Sequence, residues 1–212
     1  MRRDIIFDLD GTLITCKEKH VALCKVACNL VGVSLNVKKY WDLKRNGASN
    51  KLALSSYIES VLKIERICSY WNDQIEESEW LYWDKLYPNT LELLSFISRI
   101  HNIHILTARR NKFNAYMQCD ELGLSKYVSN IMVVSHDDVS NNKKDYILKT
   151  NASLFFGDTE TDYIATLGTN CDFVAFINGQ RSYNFLKNSG VDKFSSINET
   201  LENLTYSKEI YG

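Results

Sequence analysis

The apolar run Ile5-Ile6-Phe7 stops abruptly at Asp8-Leu9-Asp10-Gly11-Thr12, and this junction constrains the fold more than any other part of the chain. A short continuous apolar segment reads as a strand buried on both faces, which places it inside a parallel sheet covered by helices. Two carboxylates and a glycine directly after such a strand lie where open α/β sheets bind ligands, at the carboxyl ends of the strands. The same signature recurs only far downstream. From Cys16 to Leu86 the apolar residues return at helical intervals instead: Val21, Leu23, Cys24, Ala27, Leu30 and Val31 first, then stretches over Val37–Lys44, Lys51–Lys63 and Cys68–Leu86. Pro88 opens a different regime, with a helix over Thr90–Arg99, a strand at Ile103–Leu106 and a helix over Lys112–Leu122. Strands at Ile131–Val134, Leu154–Phe156 and Phe173–Ile177 then alternate with helices at Lys143–Lys149, Thr161–Leu167 and Arg181–Leu186.

These patterns predict an α/β fold, a Rossmann-like parallel sheet built from residues 1–15 and 87–212, with an all-helical cap domain, residues 16–86, inserted after the first strand. A chain of 212 residues is long enough for a core and a smaller cap, each burying its own interior. A single Pro, with hydrophobic residues at 45% and charged residues at 24%, suits an ordered chain throughout. The Asn/Ser-rich segments near Asn46–Asn50 and Ser140–Asn142 read as turns, not linkers. A net charge of −1 supplies no positive field for a nucleic-acid backbone, so the expected partner is a small molecule. No apolar run approaches a signal peptide or a membrane span, so the expectation is a cytoplasmic protein without a membrane partner.

The six cysteines lack the spacing of a disulfide scaffold and are expected as free thiols. Cys16, His20, Cys24 and Cys28 recur every fourth residue, but each step turns roughly 40° around a helix, too far for one closed tetrahedral metal site. They are expected to pack. The aromatic group Tyr70, Trp71, Trp80, Tyr82 and Trp83 is likewise expected to pack the cap, and His101, His104 and His136 are given no role.

Four polar clusters follow strand runs or open helices: Asp8 to Thr12, Thr107-Ala108-Arg109, the Lys143-Lys144 pair, and Gly157-Asp158 with Asp162. Converging carboxylates repel one another and an incoming phosphate, and Mg²⁺ held by oxygen ligands relieves both repulsions. The Gly11 turn lets Asp8 and Asp10 approach one centre although an extended chain would point them apart.

The first cluster resembles the first motif of the haloacid-dehalogenase-like hydrolase superfamily. Leu106-Thr107, a helix-opening lysine, and Gly157-Asp158 with Asp162 resemble its remaining motifs in order, and Leu86-Tyr87-Pro88 resembles the point where the chain returns to the core after a helical cap. Phosphoglycolate-phosphatase-like members are the nearest in pattern. The resemblance implies that Asp8 is a nucleophile carrying a transient phosphoryl group and that Asp10 moves protons to and from the leaving oxygen and the attacking water. The dehalogenases lack this second aspartate, so Asp10 favours phosphoryl transfer. It further implies that Thr107, the amides near Leu9 and Ala108, and Lys143 or Lys144 hold the phosphoryl oxygens, Lys143 being preferred for its position four residues before Ile147. Asp8, the Asp10 carbonyl, Asp158 and Asp162 would surround Mg²⁺. Arg109 and Arg45, the latter within the basic turn Lys44-Arg45-Asn46-Gly47, are candidate readers of the substrate; the competing reading of each is a solvated turn or helix-start residue. The expected activity is hydrolysis of a small phosphate monoester, with phosphoglycolate, a nucleoside monophosphate and a sugar phosphate all admissible. A sugar phosphomutase and a non-catalytic phosphate-dependent binding module are the alternatives.

Overall fold

The structure is a computed structural model and describes residues 2–211. β1 (Asp4–Phe7) sits inside a six-stranded, wholly parallel sheet of order β3-β2-β1-β4-β5-β6, in which β2 is Asn102–Ala108, β3 Asn130–Val134, β4 Leu154–Gly157, β5 Asp172–Phe176 and β6 Phe194–Ser195. Both faces of β1 are covered, which is why its sequence is continuously apolar. Ile5 and Phe7 pack with Leu93, Leu94 and Ile97 of α6 (Thr90–Ser98) and with Ile197 and Leu201 of α11 (Ile197–Tyr211). Ile6, pointing the opposite way, packs with Tyr146 and Ile147 of α8 (Val139–Thr150) and Ala165 of α9 (Glu160–Thr166). Phe7 stacks on Phe156 of the neighbouring strand at 4.7 Å between ring centres.

From β1 the chain builds outward through β2 to β3, then crosses back to β4 on the other side of β1. The order therefore reverses between β1 and β4, and the crevice at their carboxyl ends is the place such sheets reserve for ligands.

Five helices form the insertion: α1 (Lys17–Leu30), α2 (Val37–Arg45), α3 (Asn50–Ser55), α4 (Val61–Gln74) and α5 (Ser78–Leu81). They enclose a separate apolar cluster in which Cys24, Cys28, Tyr40, Leu54, Ile64 and Ile67 are buried. The two connecting segments pair with each other: Thr15 N–H donates to the Lys85 carbonyl at 2.7 Å, Lys85 N–H to Thr15 Oγ1 at 3.0 Å, and Tyr87 N–H to the Leu13 carbonyl at 3.1 Å.

Several local expectations need correction. The helices expected at Lys51–Lys63 and Cys68–Leu86 are divided differently, because Ser60 caps α4 by accepting from Lys63 N–H at 3.4 Å and so starts a new helix inside the first of them. After Gln74 only the single turn of α5 remains helical. Ser140–Asn142 is not a turn: α8 begins at Val139 and contains it. Tyr82 and Trp83 do not pack the cap; they are 78% and 47% exposed, and Trp83 stacks on Trp80. Tyr70 and Trp71 do lie against the cap cluster. The short β6 and the final α11 extend the core beyond the elements read from the sequence. The six cysteines are free thiols. Among the described residues no helix is long and apolar enough to cross a membrane.

Candidate active site

Asp8 follows β1 directly and its N–H donates to the Phe156 carbonyl at 2.8 Å, so the sheet ladder carries the side chain to the crevice. The chain then folds back: the N–H groups of Leu13 and Ile14 reach the Leu9 carbonyl, with Gly11 at φ +87°. Only glycine suits this point, since a Cβ there would overlap the Asp158 carboxylate as well as strain the backbone. Asp158 follows β4, wholly buried, and accepts from Gln180 N–H and, at 3.4 Å, from Thr12 Oγ1. Asp162 belongs to the first turn of α9, where it completes a capping box with Thr159: one carboxylate oxygen accepts from Thr159 N–H at 3.1 Å. Its other oxygen accepts from Lys143 at 2.6 Å, and the same ammonium donates to Asp8 at 2.6 Å.

Lys143 is therefore the lysine at the crevice. Lys144, the next residue, turns outward and donates to the Leu167 carbonyl at 2.7 Å. Thr107 is buried at the end of β2, and it and Ala108 line the same cavity, which has a volume of about 530 Å³.

Carboxylate oxygens of Asp8, Asp158 and Asp162 lie within 4.8 Å of one another. Burial pushes the Asp8 carboxyl up to about 7, with Lys143 pulling against it. Asp158 is driven well above the usual carboxylate range by burial and then by the charges of Asp8 and Asp162. Three buried acids facing one ammonium leave an excess of two negative charges when all are ionised. A divalent cation with hard oxygen ligands matches that set in charge and chemistry.

Asp10 faces a different neighbourhood. The Arg109 guanidinium grips it through two bonds, Nε at 2.8 Å and Nη2 at 2.7 Å, and Lys19 Nζ lies 3.7 Å away. Burial alone would raise its pKa, yet Arg109 and Lys19 hold it well below the usual range. Arg109 also donates to Gln118, Gln118 donates to Asp84, and Lys19 pairs with Asp84 at 2.5 Å, closing a ring of buried polar groups behind Asp10. This explains why Asp84 stays deeply buried, with its carboxyl pushed up to about 6 by burial.

Of the two candidate substrate readers, Arg109 lines the cavity and Arg45 does not. Arg109 is buried against Asp10 and Gln118 and is no solvated helix-start residue. Arg45 does not line the cavity; its guanidinium donates to the carbonyls of Ile177, Gly179 and Arg181 and fastens the turn to the core, while its neighbour Lys44 lines the cavity. Sequence reasoning missed Lys19, His20, Glu76, Asp84 and Gln118. Lys19 and His20 sit within an ordinary helical pattern, and only knowledge of which helix face meets the core would have separated them. Glu76 reaches from the cap to accept from the N–H groups of Arg110 at 2.8 Å and Asn111 at 2.7 Å, with His136 at 3.2 Å. His136 is thus a cap contact, and His104 links Asp4 to Tyr146 within the core.

An α/β core with clustered carboxylates at its switch point, beneath a helical insertion, defines a class of hydrolase folds. Residues 5–176 match the family model of the haloacid dehalogenase-like hydrolases, and the chain belongs to that family. Among solved structures it is similar to a haloacid dehalogenase-like hydrolase family protein from Streptococcus pneumoniae, at 20% identity and TM-score 0.72 over 97% of this chain and 98% of that one. A predicted phosphatase from Clostridium acetobutylicum is similar at 20% identity and TM-score 0.72, covering 97% and 99% of the two chains. A predicted phosphoglycolate phosphatase from Haemophilus somnus is similar at 17% identity and TM-score 0.69, covering 95% and 97%. No curated protein matches the sequence significantly.

Proposed function

We propose that this protein is a Mg²⁺-dependent phosphatase that hydrolyses a small phosphate monoester through a phosphoryl group carried on Asp8. The observation that carries the reading is the convergence of Asp8, Asp158 and Asp162 on Lys143 at the β1/β4 crevice, with Asp10 held beside them. Asp8, the Asp10 carbonyl, Asp158 and Asp162 would hold the metal. Bound Mg²⁺ supplies charge neutralisation and a Lewis-acid contact to the phosphoryl oxygens.

The chain's own residues do the rest. An Asp8 carboxylate oxygen forms a bond to phosphorus as the bond to the leaving oxygen breaks, and the protonated form of Asp10, regenerated by the proton taken from water in the previous turnover, gives that oxygen its proton. Water then attacks the phosphorus and passes a proton to Asp10; the bond to Asp8 breaks, restoring the carboxylate and releasing inorganic phosphate. Arg109 and Lys19 stabilise the ionised form of Asp10, an arrangement suited to the second, base-catalysed half of the cycle. Lys143 holds the Asp8 carboxylate in place and, with Thr107 and the Ala108 backbone, faces the non-transferred oxygens. The helical insertion closes the crevice from water.

The test is phosphate release from an aryl phosphate and a panel of aliphatic monoesters, with Mg²⁺ or with EDTA. The expected result is release that needs Mg²⁺ and falls by at least about a thousandfold in Asp8→Asn. Release unchanged by EDTA or by Asp8→Asn would overturn the reading.

A further inference from the structure

Of the three acids that converge at the crevice, Asp158 has the fewest charged supports. Lys143 pairs with Asp8 and Asp162, whereas Asp158, wholly buried, makes no ion pair among the described residues. It is held by Gln180 N–H and, at 3.4 Å, by Thr12 Oγ1. The backbone that supplies the first of these bonds lies so close to the carboxylate that a Cβ on Gly179 would overlap it. Gly179 and Gln180, in the segment 177–182 that leads out of β5, are therefore the wall on which Asp158 rests.

The same segment is gripped by the cap. Arg45, the last residue of α2, has no carboxylate partner among the described residues; its guanidinium donates to the carbonyls of Arg181 at 3.0 Å, Ile177 at 3.3 Å and Gly179 at 3.5 Å. The hold is returned: Ser182 N–H donates to the Arg45 carbonyl at 2.8 Å, and Arg181 Nη1 to the Lys44 carbonyl at 3.3 Å. Gly47 completes the seat, pressed on Phe185 so closely that a Cβ would overlap the ring. Gly179 is thus fixed twice, by Arg45 on its carbonyl and by Asp158 against its α-carbon. Ionised acids gathered at one point repel one another, so one without a cation of its own keeps its place only through such supports. Mg²⁺ accepts little departure from octahedral geometry, so a shift of one ligand costs affinity.

Resting on the Mg²⁺-dependent reading above, we infer that Arg45 is a positioning residue for the metal site: by clamping segment 177–182 it sets the place of Asp158, so that docking of the cap turn and Mg²⁺ affinity are coupled. Arg45 lies outside the cavity and acts only through that segment. One guanidinium spans three carbonyls that an ammonium does not, so lysine at this position holds the segment less well. The coupling runs both ways: a metal held by Asp158 steadies the cap turn by the same free energy.

The experiment measures Mg²⁺ affinity of the full-length protein by calorimetry, without substrate. Wild type is expected to bind the ion and Asp158→Asn to lose it. Arg45→Met is expected to bind it about fivefold or more weakly, with Arg45→Lys in between. The Mg²⁺ concentration for half-maximal phosphate release rises in step, while kcat at saturating Mg²⁺ stays within about twofold. Glu76→Gln, which weakens the cap at a contact that does not involve segment 177–182, keeps the wild-type affinity within about twofold. If Arg45→Met proves unstable by thermal unfolding, Arg45→Lys carries the comparison, with an expected loss of about threefold. Hydrogen exchange in peptides covering residues 44–47 is read in parallel and is expected to slow when Mg²⁺ is added to wild type, but not to Asp158→Asn. Unchanged affinity in the Arg45 variants, an equal loss in Glu76→Gln, or exchange at the turn indifferent to Mg²⁺ would overturn the inference and leave the phosphatase reading standing. A wild type that binds no Mg²⁺ would sink both.

Discussion

The core and the cap meet across one cavity, but they are built on opposite terms. On the core side the cations are all engaged by carboxylates, Lys143 between two aspartates, Arg109 on Asp10 and Arg181 on Glu160, and the excess of charge that remains is negative, at Asp8, Asp158 and Asp162. On the cap side Arg45 and Glu76 fasten the two units together, Lys19 pairs with Asp84 behind Asp10, and Lys44 makes no hydrogen bond or ion pair among the described residues. The difference teaches that the constant chemistry is preorganised in the sheet, where hydrogen-bonded strands fix positions. The opposite wall of the cavity is carried by the helical insertion, which has an apolar cluster of its own and meets the core through a few polar bonds.

Substitutions that strike the two units unequally test this contrast. The largest effect on stability is expected on the core side, from Arg109→Met. It removes the bidentate partner of a buried carboxylate and breaks the ring through Gln118 and Asp84, and the expected loss is about 3 kcal/mol in urea unfolding. A loss under about 1 kcal/mol would mean that Lys19 alone sustains Asp10 and that the core is less tightly preorganised than described.

A smaller effect is expected where the units join. Glu76→Gln weakens the acceptor that takes the N–H groups of Arg110 and Asn111, at an expected cost of about 2 kcal/mol. Burial opposes ionisation of Glu76, but the hydrogen bonds from His136, Asn111 and Arg110 hold its carboxyl down to about 2, below the ordinary value of 4.5. Because the folded value is the lower one, the contribution is complete above the ordinary value and is lost as pH falls toward 2. The gap in unfolding free energy between wild type and Glu76→Gln should accordingly be full at pH 6 and narrow steadily below pH 4.5. A gap that stays constant down to pH 3 would show that the carboxylate charge plays no part in docking the cap.

The smallest effect belongs to the cap surface. Tyr82 is 78% exposed, and the Lys85 ammonium lies over its ring, 4.2 Å from the centroid. Tyr82→Ser should change stability by no more than about 0.5 kcal/mol, measured by thermal unfolding. A loss of several times that size would restore the packing role that the clustered aromatic sequence suggested.

The same contrast governs what could be read from the sequence. Strand-end motifs were legible because buried parallel strands are continuously apolar and stop at the ligand, so Asp8, Thr107 and Asp158 stand at visible boundaries. Their gathering into one crevice is visible only in the structure. The choice between Lys143 and Lys144 depended on where α8 begins, four residues earlier than the Asn/Ser-rich stretch implied, since neither lysine carries a local signal of its own. The cap was legible as helical but not in its divisions, because Ser60 is an inconspicuous residue until its hydroxyl is seen to cap α4. The ring behind Asp10 was illegible for another reason: Lys19, Asp84, Arg109 and Gln118 come from segments as much as 108 residues from Asp10, and no local pattern reports that they meet.

The most direct test of the central claim is to quench the reaction in acid during turnover of a radiolabelled monoester and to map the label by peptide mass. The account predicts stoichiometric phosphate on the peptide carrying Asp8, absent from Asp8→Asn. Turnover with no label retained on the protein, or label on any other residue, would contradict it.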